Sequence, residues 1–274
     1  MSCLEFRHEA MATTFALFID GHRPDYARQA ATSAWRELER LESELSRYRE
    51  SSDIARINRL ARGASTVIGD DTFQCLLLAA EVAFATDGAF DATYNSSTNP
   101  DHAPGAPRFT LDPATHTLTS LVERLHVDLG AIGKGYALDR LGEHLAEWDI
   151  TTACLQSGGS TALALDAPVN TAGWTVGLDQ HGTLPLVRAA LSGSGIAVQG
   201  AHLIDPRTGA PATRLTRTWA LAPTAALSDA LSTAFFVWPD AAIASFCATH
   251  PEIGAANLAA NGTLVTHGPL TVAP

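Results

Sequence analysis

The sequence is poor in cysteine, in basic charge and in long apolar runs, and each shortage closes off a class of protein. Its four cysteines, Cys3, Cys75, Cys154 and Cys247, lie far apart with no C-x-x-C pair among them. That spacing signals neither a disulfide framework nor a zinc site, so they read as reduced, mostly buried thiols. No stretch approaches the roughly 20 apolar residues of a membrane span. The opening MSCLEFRHEAM has no apolar run of signal-peptide length. The expectation is a soluble cytoplasmic protein, periplasmic if a signal has been trimmed. Lys and Arg number 18 against 29 Asp and Glu, a net charge of −11. Nucleic-acid binding needs clustered Lys and Arg for the phosphates, so nucleic acid is not expected as a partner. An anionic ligand would need a local positive source, such as a metal ion. Low-complexity tracts and fixed-period repeats are absent too, as are G-x-S-x-G and H-E-x-x-H motifs.

What is present is an ordinary globular balance, 46% hydrophobic and 17% charged, in a chain of 274 residues long enough for a sizeable core. ATTFALFIDG reads as a strand leaving through Asp20-Gly21. Pro24 opens a helix to about Ser46 with a stripe of Trp35, Leu38, Leu41 and Leu45. Ser52 is placed to cap a short helix containing Ile54, Ile57 and Leu60. Asp70 or Asp71 is expected to cap a third helix, closed by Asp87-Gly88. Residues 94–107 are loop-like, RFTLDPATHTLTS reads as a hairpin, and RLHVDLG as a further strand. A helix is expected from Gly133-Lys134 to Trp148. The β-type runs ACLQ, TALAL, WTVGL, PLVRAAL, AHLID and TWALA fill 153–222, and helices return at 225–237 and 240–249. Helices and strands fall into blocks without βαβ alternation, which predicts an α+β fold.

Several stretches have residue types that could carry chemistry, and each also has a plain structural reading as a glycine-punctuated junction, a cap or a turn. DLGAIGKGYALDRL sets glycines and Lys134 where a strand hands over to a helix, a junction attractive to phosphate. It is not a Walker A motif, because Gly135 follows the lysine. In LSDALSTAFFVW, Asp229 and Thr233 share a helical face one turn apart and offer hard oxygen ligands suited to Mg²⁺. Plain capping by Ser228 or Asp229, with Thr233 bonded to its own backbone, explains the same residues. TDGAFDATY leaves Phe90 and Asp91 in an exposed-looking loop after a glycine cap, suited to flank a planar heterocycle or simply to form a capping turn. SGGS and SGSG set small residues between β-type runs, where glycines serve close backbone approach to a ligand or a tight turn. In HLIDPRTGAP, Asp205 to Gly209 make a turn that leaves His202 and Arg207 unused. A histidine there suits a general base for a hydroxyl. Arg207 has two candidate partners, Asp205 or a phosphate.

Taken in order, MATTF, SRYRESSDIARIN, TDGAFD, DLGAIGKGYALDR, SGG, SGSG, HLIDPRTGAP and SDALSTAFFV resemble the FAD:protein FMN transferase (ApbE) family, from about Met11 to Val237. The resemblance implies a single α+β domain over 1–274, ApbE-like and related to the T-fold. It implies mixed or antiparallel sheets with flanking helices, and two subdomains with an FAD cleft between them are one arrangement of that fold. It further implies that FAD is the substrate, that Mg²⁺ is the cofactor, and that FMN passes to a Ser or Thr of a target flavoprotein with release of AMP. By position, Asp229, Thr233 and the main-chain oxygen of Ala131 would hold the metal. Met11, Tyr48, Asn58, Ala89, Phe90, Asp91, Asp128, Lys134 and Ile204 would lie against the nucleotide. His202 would be the catalytic base, oriented by Asp205.

The chain departs from the family pattern at Ser160, where an acid is common, and after Asp91, where FDATYNSSTNPDHAP replaces the usual continuation. It is also short between SGSG and HLIDP. Two other activities use the same residues: FAD binding without transfer, and a Mg²⁺-dependent FAD pyrophosphatase yielding FMN and AMP.

Overall fold

The computed structural model describes residues 3–97, 105–195 and 204–272. Along the chain, strands β1 (Leu4–Ala10) and β2 (Thr13–Ile19) lead into helices α1 (Pro24–Leu45) and α2 (Asp53–Ile57), strand β3 (Ser65–Val67) and helix α3 (Asp70–Ala85). Strands β4 (Phe109–Asp112) and β5 (Thr117–Ser120) precede α4 (Gly133–Glu147). Then come β6 (Ala153–Ser157), β7 (Thr161–Ala164), β8 (Trp174–Gly177), β9 (Thr183–Leu186), β10 (Ala189–Gly195) and β11 (Leu215–Ala222). Helices α5 (Ala225–Val237) and α6 (Asp240–Thr249) and the pair β12 (Gly254–Ala259) and β13 (Leu264–His267) complete the described elements. The α+β fold is therefore the one the blockwise pattern implies.

Eight strands form one sheet in the order β1-β2-β6-β7-β10-β11-β12-β13, every neighbouring pair antiparallel. The strand period of two divides their side chains between the faces. Phe15, Leu17, Ile19, Leu155 and Leu163 meet Leu38 and Leu41 of α1, Leu138 and Leu141 of α4, and Phe235 of α5 in the larger core. Each such buried side chain stabilises the fold by about 1.5–3 kcal/mol. On the other face, Ala162, Leu191 and Trp219 pack beneath the β8-β9 hairpin in a second cluster. A separate three-stranded sheet, β3-β5-β4, adds Leu118 to the larger core, with Phe109 and Leu111 packed against it.

Most helix boundaries follow their sequence signals. Pro24 occupies the first turn of α1, and Ser52 Oγ accepts a hydrogen bond from Ala55 N to cap α2. Other expectations are corrected. Gly69, not Asp70 or Asp71, is the N-cap of α3, and both aspartates lie in its first turn. RLHVDLG forms no strand; only Arg124 bridges, to Ser97, and the rest is irregular. SGSG is no turn but the end of β10, because Gly193 and Gly195 lie directly opposite Trp219 and Arg217 of β11. A Cβ there would come within 3.0 Å of Trp219 or 2.7 Å of Arg217, so the glycines serve close cross-strand packing. PLVRAAL divides between β9 and β10 at Arg188, which has a φ of 45°. Strands β1, β3, β12 and β13 match no sequence expectation.

Candidate active site

The β1-β2 hairpin turns on Met11 and Ala12, with φ of 49° and 58°. Two successive left-handed residues define the tight turn that suits a twisted hairpin, usually filled by Asn-Gly. A non-glycine residue there costs about 1–2 kcal/mol, and such strain concentrates at functional positions. Glu42 of α1 anchors the turn by accepting a hydrogen bond from Met11 N at 2.8 Å.

That turn is one wall of a cavity of about 940 Å³. Leu45 at the end of α1 with Ser46 to Arg49, residues of the Ala89–Asn95 stretch after α3 and of the Asp128–Lys134 stretch, Ile204 with Pro206, and Thr233 of α5 complete its lining. Of the residues singled out by sequence, Met11, Tyr48, Ala89, Phe90, Asp91, Asp128, Ala131, Lys134, Ile204 and Thr233 all meet there. Phe90 is 3% exposed and Asp91 half-buried, which corrects the exposed loop expected for them. Asp91 accepts hydrogen bonds from Thr93 N and Oγ1, both at 2.7 Å, and pairs with Arg108.

Asn58 does not line the cavity. Its Oδ1 accepts from Val127 N at 2.6 Å and its Nδ2 donates to Val127 O at 3.0 Å, so it holds the backbone immediately before Asp128. Asp128 in turn pairs with Arg47 at 2.8 Å and accepts from Gly130 N. Asp205 N donates to Ala210 O, and Gly209 N, at a φ of 69°, donates back to Asp205 O. Both carboxylate oxygens of Asp205 are taken by Arg207, at 2.9 and 2.8 Å, which settles Arg207's partner in this structure. That pairing, opposed by partial burial, holds the Asp205 carboxyl below its usual range. His202 lies outside the described residues.

The charged centre of the site is the contact of α4 with α5. Gly135 is essential to it, because a Cβ would fall 2.2 Å from the carbonyl oxygen of Ala225. Asp139, one helical turn on, accepts hydrogen bonds from Ala225 N and Ala226 N at 2.7 and 2.8 Å and so caps α5 from outside. Burial outweighs those two bonds and pushes the Asp139 carboxyl up to about 6. With the helices locked this way, Asp229 sits behind the cavity wall, 5% exposed, its Oδ2 3.3 Å from Gly135 N and 3.9 Å from Lys134 Nζ. Burial drives its carboxyl upward, against the opposing pull of Lys134 and the Gly135 N–H. Thr233 Oγ1 lies 3.3 Å from Ser194 Oγ, and α5 is capped by Thr224, so neither Ser228 nor Asp229 is a cap. Ser228 Oγ donates instead to Ala220 O.

Lys134 is the only lysine in the sequence, every other basic residue being arginine or histidine. Its ammonium donates to Gly130 O at 2.7 Å beside the start of α4, a helix with no side-chain cap. A composition check by residue type would have drawn attention to it directly. Arg47, Arg49 and Glu42 also line the cavity and carry no sequence signal, for no pattern in LESELSRYRE separates them from surface charge.

A family model described as the ApbE family matches residues 11–256. The chain is similar to an FAD:protein FMN transferase from Haemophilus influenzae, 26% identical over 242 residues, covering 73% of this chain and 70% of the relative. It is also similar to one from Treponema pallidum, 28% identical over 250 residues, covering 73% and 68%. A structure of the flavin transferase ApbE from Vibrio cholerae, a histidine-to-glycine mutant, superposes with a TM-score of 0.84 at 19% identity, over 97% of this chain and 98% of that one. With the family model spanning most of its length, this chain belongs to the ApbE family.

Proposed function

We propose that this chain is an FAD:protein FMN transferase acting as one domain, with the 940 Å³ cavity as its FAD site. The observation that carries the reading is the convergence of six separate segments on one cleft. There the only lysine and an uncapped helix start stand beside a buried, under-compensated carboxylate. Apolar Met11, Leu45, Ala89, Phe90 and Ile204 suit a flat heterocycle, and Lys134 with the α4 N-terminus suits a diphosphate.

The donor chemistry here fits Mg²⁺. Asp229, Thr233 and the Ala131 carbonyl offer only hard oxygen atoms, and no group of three His, Cys, Asp or Glu side chains is found among the described residues. That set matches a cation that keeps waters and borrows substrate phosphate oxygens. When bound, Mg²⁺ would neutralise charge on the diphosphate. Lys134 contributes a second positive charge to the same group.

In the reaction, a Ser or Thr hydroxyl of the acceptor attacks the FMN phosphorus as the bond to the AMP phosphate breaks. The hydroxyl proton passes to His202, and AMP leaves. Asp205, committed to Arg207, acts as a positioning residue that stiffens the turn following His202.

Incubation with FAD, Mg²⁺ and a candidate acceptor flavoprotein, followed by intact mass, tests this reading. A covalent FMN adduct on the acceptor is expected. Free FMN and AMP without an adduct would make the protein a pyrophosphatase, and unchanged FAD would make it a binding protein.

A further inference from the structure

A second, smaller cleft opens on the opposite face of the eight-stranded sheet, between that sheet and the β8-β9 hairpin. Its volume is about 170 Å³, below the range of sites that enclose whole cofactors and suited to a side chain or a small ion. The Gly158–Ser160 turn, Gln156, Val176, Asp179, Trp219 and Arg217 line it. Arg217 is the unusual member: only 7% of it is exposed, and its Nε makes no hydrogen bond among the described residues. Its one carboxylate neighbour is Asp179, more than half exposed in the turn of the hairpin, whose Oδ2 lies 3.2 Å from that Nε but out of line for a hydrogen bond. A guanidinium carries five donors and cannot shed its charge, so a buried one whose Nε–H is left unbonded and whose counter-charge is an exposed carboxylate is suited to take a further acceptor.

The sheet is built to hold Arg217 in this posture. Gly195, its direct cross-strand partner, leaves room for the Arg217 Cδ, and Gly193 leaves room for Nη2 and for the Trp219 ring. The guanidinium lies 5.5 Å from the centre of that ring. Gly193 N also donates to Ser160 O at 2.7 Å, tying the glycine pair to the rim of the cleft.

We propose that this cleft is a subsite for a small oxyanion, a carboxylate or phosphate group held by the Arg217 fork. The anion is either a free ion or the acidic side chain of a docked protein. The proposal stands apart from the flavin reading and is tested without FAD.

Tryptophan-selective ¹⁵N labelling of the full chain gives five indole signals, and Trp219→Phe assigns the relevant one. Inorganic phosphate and N-acetyl-aspartate N-methylamide are titrated separately at constant ionic strength, with chloride as control. A saturable shift of the Trp219 signal is expected with at least one of them, and the tighter ligand identifies the source. Arg217→Met should abolish the shift, and Arg217→Lys, which keeps the charge but loses the fork, should weaken it at least fivefold. Asp179→Asn, which removes the competing carboxylate, should tighten binding at least threefold and reads the site even if the arginine variants fail to fold. No saturable shift beyond chloride would overturn the proposal, as would an unchanged affinity in the arginine variants or in Asp179→Asn.

Discussion

Asp71 at the start of α3 and Asp229 in α5 are equally buried, each 5% exposed, and their surroundings treat the charge in opposite ways. Asp71 pairs with Arg40 and lies 2.9 Å from Arg140, and Tyr136 Oη donates to it at 2.8 Å. Burial alone would raise its carboxyl, but Arg40, Tyr136 and Arg140 together outweigh burial and hold it below its usual range. Asp229 receives one long hydrogen bond from Gly135 N and a lysine at 3.9 Å, and its carboxyl is pushed up. A buried carboxylate surrounded by its own protein's cations has completed its chemistry in the fold. One left short of positive charge beside a large cavity is arranged for something the fold does not supply.

The contrast can be broken most forcefully at Asp71. Asp71→Ala strands two arginines and a phenol, and should cost about 3 kcal/mol, the low end for a broken buried pair because both arginines reach solvent. Chemical denaturation checks the size, and FMN transfer by the protein that stays folded should be unchanged. Gly135→Ala sharpens the comparison by moving Asp229 relative to Lys134. Its Cβ meets backbone rather than a yielding side chain, so about 1–3 kcal/mol of stability should go. Unlike Asp71→Ala, it should also slow transfer in the folded protein, measured as kcat. The smallest effect is in acid. A depressed carboxyl stabilises the fold above its unfolded pKa of about 3.9 and loses that contribution as pH falls through its folded value. The stability gap between the wild type and Asp71→Asn should therefore be full at pH 5 and shrink below about pH 4 in denaturant titrations.

Much of this arrangement could be read before any coordinates. The helices α1, α4, α5 and α6 announce themselves through Pro24, the Gly133-Lys134 junction and apolar periodicity, because helix signals are local. Asp229 and Thr233 share a face for the same reason. Strands β12 and β13 were legible in principle, since Asn261-Gly262 between them is a strong hairpin signal, with Gly262 at a φ of 83°. SGSG is ambiguous in sequence because glycines opposite Arg217 and Trp219 look, in one dimension, like a turn. The exposure expected for Phe90 and Asp91 fails because Phe90 packs into the larger core and Arg108, 17 residues on, folds back to pair with Asp91. Nor does any spacing reveal that Asp139 caps a helix 86 residues later, the contact that sets Lys134 beside Asp229.

Because Lys134 is the only lysine, it can be followed alone. Amine acylation, with the modified Lys134 peptide quantified by mass, reports its accessibility in the wild type and in Asp229→Asn. Saturating FAD with Mg²⁺ should slow Lys134 modification at least tenfold in the wild type, and the Mg²⁺-dependent part of that protection should vanish in Asp229→Asn. Modification of Lys134 at the same rate with and without FAD would mean that the diphosphate does not lie at the α4–α5 contact, and that the cavity is not the flavin site.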